Sequence, residues 1–310
     1  MYNIQTLNKI STYGTDNFDK AKYSISDTCE NPDAIMVRSA AMHDMAFGSN
    51  LLAIARAGAG VNNIPVDKCA ADGICVFNTP GANANAVKEL VIAGLLISSR
   101  KVPEAMNWAQ TLKGNGAEVG KMVEKGKSQF AGPEILGKTL GVIGLGAIGV
   151  LVANAAIALG MKVVGFDPYL SVKAALGLDP QVKAVADVKE LYAASDYVTI
   201  HVPFNADTKG TINAETIGMM KDGVRVLNFA RGELVDNAAM IAALESGKVA
   251  AYVVDFPSDE ILGVKNAIAI PHLGASTPES EDNCAMMAAL ELIDYIENGN
   301  IECECKKAGK

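Results

Sequence analysis

Short apolar runs alternate with stretches of helical periodicity along most of the chain. Ala34–Val37, Leu51–Ala55 and Ile74–Phe77 are apolar runs of strand length, each followed by turn residues. Such runs read as strands buried on both faces. Asn78-Thr79-Pro80-Gly81 is the clearest of the breaks between them. A helical pattern follows from Val87 to Leu112, and Pro103 is expected to split it, because proline lacks an N–H and collides with the preceding turn. Lys113–Gly132 is polar and glycine-rich and reads as a connection. A second series places strands at Thr139–Ile143, Lys162–Phe166, Tyr197–His201, Arg225–Phe229, Ala251–Val254 and Ala267–Ile270. Glu281–Glu297 forms a strong last helix, ended by Asn298-Gly299.

This alternation predicts an α/β fold class: two doubly wound, parallel-sheet (Rossmann-like) domains with a cleft between them. The second series is complete before the last helix, which is therefore expected to pack back on the first domain. The expected division is a discontinuous first domain of residues 1–95 plus 283–310 and a second domain of residues 96–282; the motifs below make the second the dinucleotide-binding domain and the first the substrate (catalytic) domain.

Composition narrows the function. The chain has 310 residues, 50% hydrophobic and 20% charged, enough to bury two cores. A net charge of −8 argues against nucleic acid or an anionic membrane as the main partner. Met1–Ile10 is polar, so no signal peptide is expected, and no run approaches the roughly 20 apolar residues of a membrane span. The six cysteines are scattered, which suits a reducing, cytoplasmic location. Cys303 and Cys305 lack a second Cys or His pair at zinc spacing, so no metal is expected.

The strongest motif follows an apolar strand, Leu140-Gly141-Val142-Ile143. It is Gly144-Leu145-Gly146-Ala147-Ile148-Gly149, and an alanine-rich helix comes next. In this context Gly144 permits a tight turn, Gly146 lets the backbone approach a pyrophosphate, and Gly149 lets helix and strand pack closely. The helix N-terminus offers free N–H groups to phosphate. Asp167 ends the next strand, 23 residues after Gly144. A carboxylate there accepts from ribose hydroxyls and repels a 2′-phosphate, so NAD is expected rather than NADP.

Hydride transfer to a carbonyl needs a cation for the substrate carboxylate and a proton carrier near neutral pH. The chain has three histidines: His43, His201 and His272. His201 and His272 both end strands, so position alone does not separate them. Arg231 ends another strand, in Asn228-Phe229-Ala230-Arg231-Gly232.

Three motifs in order carry a family resemblance: the glycine loop with Asp167, Asn-Phe-Ala-Arg-Gly around Arg231, and Pro-His-Leu-Gly-Ala-Ser-Thr around His272. With them the chain resembles the D-isomer-specific 2-hydroxyacid dehydrogenases over nearly its whole length. The resemblance implies an Arg/Glu/His catalytic set. Arg231 binds and polarises the 2-oxo acid, His272 exchanges the proton, and an acid bonds to His272 and orients it. That acid is Glu260 if Val254-Asp255-Phe256-Pro257-Ser258-Asp259-Glu260 aligns without a gap, and Asp259 if one residue is missing. The family's proline after this acid is absent. The resemblance further implies cofactor contacts from Ala147, Ile148, His201, Pro203, Thr208, Ala230 and Ser276, and from Asp255 to the nicotinamide amide.

Val37-Arg38-Ser39-Ala40, the stretch Arg56–Ile64 and Asn78-Thr79-Pro80-Gly81 resemble the phosphoglycerate dehydrogenase branch of the family. Arg38, Ser39, Ala59, Gly60 and Asn83 then become expected substrate-binding residues, with Arg38 facing a phosphate. The resemblance implies oxidation of D-3-phosphoglycerate in serine biosynthesis, or reduction of hydroxypyruvate or glyoxylate as the alternative. It also implies a homodimer through Val87–Leu112. The regulatory domain of longer members is not expected here.

Overall fold

The computed structural model describes residues 1–301 and 305 and divides the chain into two compact units. The first comprises Met1–Ala86 and Ala275–Lys310; the second is Val87–Gly274. Cys303 lies outside the described residues.

The first unit contains β1 (Tyr2–Leu7), α1 (Thr12–Thr15), β2 (Tyr23–Ser26), β3 (Ala34–Val37), β4 (Ala53–Arg56), α2 (Val66–Ala71) and β5 (Cys75–Asn78). Its strands form one parallel sheet in the order β2-β1-β3-β4-β5. Side chains alternate across this sheet as the pleat requires. Ile4, Met36, Ala55 and Phe77 build one core, and Ile35, Val37, Ile54 and Val76 build the other. Two of the strands, β1 and β2, are absent from the sequence expectation.

The second unit takes in most of α3 (Ala84–Arg100), then α4 (Val102–Thr111), α5 (Val119–Gly126), β6 (Thr139–Ile143), α6 (Ala147–Ala158), β7 (Lys162–Phe166), α7 (Val172–Gly177), β8 (Lys183–Ala184), α8 (Val188–Ala194) and β9 (Tyr197–Ile200). It continues with α9 (Ala214–Met219), β10 (Val224–Asn228), α10 (Asn237–Ser246), β11 (Val249–Val254) and β12 (Ala267–Ala269). The helix α11 (Pro278–Asn298) belongs to the first unit. It covers one face of that sheet with Cys284, Ala288 and Leu292, and Gly299 ends it at φ 72°.

Pro103 acts as expected. The long helical pattern divides at Lys101, which takes a left-handed φ of 48°, and Pro103 enters the first turn of α4. The Lys113–Gly132 stretch, expected as a plain connection, instead holds α5 between two short 3-10 turns. The units also divide at Ala86/Val87 and Gly274/Ala275, earlier than the expected 95/96 and 282/283. The reason is packing. A side chain at Gly94 of α3 would stand 3.0 Å from Phe229 and 3.1 Å from Leu227, so α3 lies on the second sheet.

The seven strands of the second unit are parallel, in the order β12-β11-β10-β9-β6-β7-β8. The chain runs from β6 through β7 to β8 in one direction and resumes with β9 on the other side of β6. Strand order thus reverses between β6 and β9, and the carboxyl ends of these two strands flank the crevice where ligands bind such sheets. The glycine loop follows β6, and His201 follows β9.

Candidate active site

The glycine loop is built for close approach. Gly144 adopts φ 89°, and a Cβ there would meet the His201 carbonyl oxygen at 2.8 Å. A Cβ at Gly149 would overlap the Gly144 carbonyl, so α6 is pressed against its own loop. Gly146 differs: it is exposed, and nothing lies within 4 Å of where its Cβ would stand. It is the N-cap of α6, and no side chain caps the helix. The amides of the first turn, including Ala147 and Ile148, are therefore not capped by the chain's own side chains. Asp167 Oδ2 accepts from the Leu145 N–H at 2.8 Å, and its Oδ1 accepts from the Tyr169 N–H at 2.8 Å. Each oxygen keeps a lone pair for a ribose hydroxyl. An open backbone cradle, an uncapped helix and a partly committed carboxylate suit the pyrophosphate and ribose of NAD.

Packing separates the two strand-end histidines. His201 is half-buried: Nε2 lies 2.9 Å from Thr199 Oγ1, and Nδ1 is shielded from solvent and has no hydrogen-bond partner among the described residues. Burial pushes this imidazole down to about 4. It therefore stays neutral near pH 7. Beyond it, Thr208 Oγ1 donates to the Pro203 carbonyl at 2.7 Å and shapes the loop after β9.

His272 is exposed, and its φ is 54°. Its N–H donates to the carbonyls of Asp255 and Ile270, each at 3.0 Å. Asp255 is 1% exposed. Its Oδ1 accepts from the Leu273 N–H and its Oδ2 from the Gly274 N–H, both at 2.7 Å. Burial raises the Asp255 carboxyl above the ordinary range, and these two N–H groups and His272 pull it back. The residue that sequence resemblance assigned to a nicotinamide contact is also the clamp of the histidine loop.

Arg231 is set by the strand end before it. Asn228, fully buried, accepts from the Ala230 N–H at 3.2 Å and donates to the Arg231 carbonyl at 2.8 Å. Arg231 Nη1 donates to the Ala230 carbonyl at 2.7 Å. The guanidinium carbon lies 5.8 Å from the centroid of the Phe256 ring, and that ring lies 4.7 Å from the His272 ring at 48°. Sequence reasoning missed Phe256 and Asn228 as site residues. Asn228 stands inside the quoted arginine motif, and Phe256 directly follows Asp255.

The expected bond from Glu260 to His272 is not made. Glu260 Oε2 accepts instead from Asn237 Nδ2 at 3.1 Å, and among the described residues the His272 ring has no hydrogen bond. The cause is local. The Ser258 carbonyl accepts from both Ile261 and Leu262 N–H groups at 3.1 Å, closing a tight turn. Ile261 fills the core where the family's proline was expected and is 2% exposed. Glu260 and Asp259 are left on the outside of that turn.

In the first unit, Arg38 Nη2 donates to Glu281 Oε1 at 2.6 Å, with both side chains 42% exposed. The phosphate candidate thus already holds a carboxylate. The N–H groups of Ser39 and Ala40 both donate to Asn8 Oδ1, at 2.9 and 2.8 Å. The Ala59 carbonyl accepts from Asn78 Nδ2 at 2.5 Å. Gly60 and Asn83 are half-buried in the same unit, and Ser276 is exposed there. Among the described residues there is no metal-binding cluster, and no helix is long and apolar enough to cross a membrane.

Residues 92–274 match the family described as D-isomer specific 2-hydroxyacid dehydrogenase, NAD binding domain. A hydroxypyruvate reductase of Thermotoga maritima is 40% identical over 85% of this chain and 83% of its own length. A D-3-phosphoglycerate dehydrogenase of Synechocystis is 36% identical over 88% of this chain. The chain spans only 48% of that relative's length. The solved structure of NAD+-bound 3-phosphoglycerate dehydrogenase from Entamoeba histolytica covers 99% of both chains with a TM-score of 0.76 at 25% identity. With its glycine loop, its arginine and histidine motifs and these matches, the chain belongs to the D-isomer specific 2-hydroxyacid dehydrogenases and carries their NAD-binding domain.

Proposed function

We propose that the chain is an NAD-dependent dehydrogenase of D-2-hydroxy acids that oxidises D-3-phosphoglycerate to 3-phosphohydroxypyruvate, the first step of serine biosynthesis. The observation that carries this reading is the pairing of Arg231, after β10, and His272, after β12, on one aromatic ring that follows the strand between them, β11. Bound NAD supplies the hydride acceptor. Arg231 holds the substrate carboxylate and polarises the C2–O bond. His272 takes the hydroxyl proton during oxidation and returns it during reduction. Its ring is exposed and has no hydrogen bond among the described residues, whereas His201 is half-buried, with Nδ1 shielded and Nε2 beside the Thr199 hydroxyl. Glu260 is the acid that orients His272 once released from Asn237. Asp255 keeps lone pairs for the nicotinamide amide beside its clamp on Leu273 and Gly274.

On this reading Ser39, Ala59, Gly60 and Asn83 bind substrate and Arg38 takes the phosphate. A second reading, reduction of hydroxypyruvate or glyoxylate, is favoured by the ion pair that already occupies Arg38. An NADH absorbance screen over 3-phosphoglycerate, hydroxypyruvate and glyoxylate separates them. Turnover of 3-phosphoglycerate that collapses in Arg38→Ala supports the first. Hydroxypyruvate turnover indifferent to that change supports the second, and no turnover of any 2-hydroxy or 2-oxo acid overturns both.

The same reading takes the enzyme to be a cytoplasmic homodimer. In its support, neither α4 nor α5 has a buried residue, and Val102, Met106 and Met122 stand exposed on them. Light scattering of the purified chain tests the dimer.

A further inference from the structure

We infer that Phe256 is a positioning residue whose single ring sets both the guanidinium of Arg231 and the imidazole of His272. The inference rests on the roles proposed above for those two groups. Phe256 stands two residues past the end of β11, next to the buried Asp255, so its backbone is set by a strand whose last residue, Val254, is 1% exposed. Its side chain packs against the second unit's core, and its Cβ stands 3.5 Å from where a Cβ at Gly232 would be. The ring thus sits beside the turn that Arg231 opens.

Each partner is otherwise held at one point. Among the described residues the Arg231 guanidinium makes one hydrogen bond, to the Ala230 carbonyl at 2.7 Å. The face of Phe256, 5.8 Å away, supplies a second constraint through its negative quadrupole. His272 is anchored through its backbone N–H, and among the described residues its ring has no hydrogen-bond partner to define its rotamer. The Phe256 ring at 4.7 Å and 48° gives it a packed wall in a tilted aromatic arrangement. Asp255 and Phe256 together thus hold His272, one through the backbone and the other through the ring. Leu at 256 keeps apolar volume but removes the face, so both reactive groups lose a constraint at once.

The test uses the intact chain. NMR of the histidine ring protons in cofactor-free protein is recorded for wild type, Phe256→Leu and Phe256→Tyr, with His272→Ala assigning the signal. The Phe256 ring current should displace the His272 signals in wild type and Phe256→Tyr, and Phe256→Leu should release them. In the NADH assay, Phe256→Leu should lower kcat and raise KM for the 2-oxo acid. The combined loss in kcat/KM should be roughly ten- to a hundredfold. NADH affinity should hold, and Phe256→Tyr should restore both constants. His272 signals that stay put in Phe256→Leu, or wild-type kcat and KM in that variant, overturn the inference. Should Phe256→Leu fail to fold, Phe256→Met serves the same comparison. The ring signals report placement even if His272→Ala were to leave turnover unchanged. That last outcome would instead overturn the proposed reaction.

Discussion

The backbone of His272 hangs from Asp255: the histidine N–H donates to the Asp255 carbonyl at 3.0 Å, while the Asp255 carboxylate takes the next two N–H groups. The left-handed φ of 54° at His272, uncommon for a residue other than glycine, is imposed by this clamp. Asp255→Ala strands two donors, and each costs about 1–3 kcal/mol where water cannot reach it. We expect urea denaturation to show a loss of about 2–4 kcal/mol, with turnover falling alongside. Unchanged stability in Asp255→Ala would mean that water or a neighbour replaces the carboxylate.

His201 should make stability pH-dependent. Its folded value, about 4, lies below the ordinary 6.5, so the native ring stays neutral where the unfolded chain takes up a proton. Its contribution is complete above 6.5 and is lost as pH falls from 6.5 towards about 4. The total is about 3 kcal/mol. His201→Gln should flatten the stability curve over that interval in equilibrium denaturation. Parallel curves for the two proteins would show that the ring meets solvent.

The glycines of the cofactor loop should fail in different ways. At Gly149 a methyl overlaps the Gly144 carbonyl, so Gly149→Ala should lose about 1–3 kcal/mol of stability together with NADH binding. At Gly146 a methyl meets no protein atom, so Gly146→Ala should keep its Tm yet bind NADH at least about tenfold more weakly, a loss of about 1.4 kcal/mol. Fluorescence titration with NADH and a melting curve for each variant decide this. Full NADH affinity in Gly146→Ala would place the ligand elsewhere.

The bond between Asn237 and Glu260 is exposed and contributes little to stability. If Glu260 must leave it to orient His272, Asn237→Ala should keep or raise kcat, while Glu260→Gln lowers it, both with unchanged Tm. An equal fall in kcat for the two variants would show that Glu260 works where Asn237 holds it.

Much of this molecule was legible in the order of its residues. Thr139–Ile143 and Lys162–Phe166 read as strands because helices cover both faces of a parallel sheet, leaving nearly unbroken apolar runs. Tyr2–Leu7 escaped notice because Ile4 alone of its six residues is buried. Lys183–Ala184 is two residues long and carries no pattern. The glycine loop and Asp167 were visible because their spacing is itself the mechanism. The difference between His201 and His272 was not, since both stand at strand ends and only three-dimensional packing shields Nδ1 of one ring while it leaves the other exposed. The partner of Glu260 was equally hidden: it depends on a turn closed by the Ser258 carbonyl, a main-chain event.

The helix α11 has a consequence for the birth of the chain. It covers the sheet face made by Ile4, Met36, Ala55 and Phe77, yet it is translated more than 190 residues after the last of them. The intervening Val87–Gly274 unit is continuous and emerges whole before its predecessor has its lid. On the ribosome, the earlier-made sheet must keep an apolar face open while the later-made one closes. During that interval the uncovered apolar face is a surface of the kind that promotes aggregation.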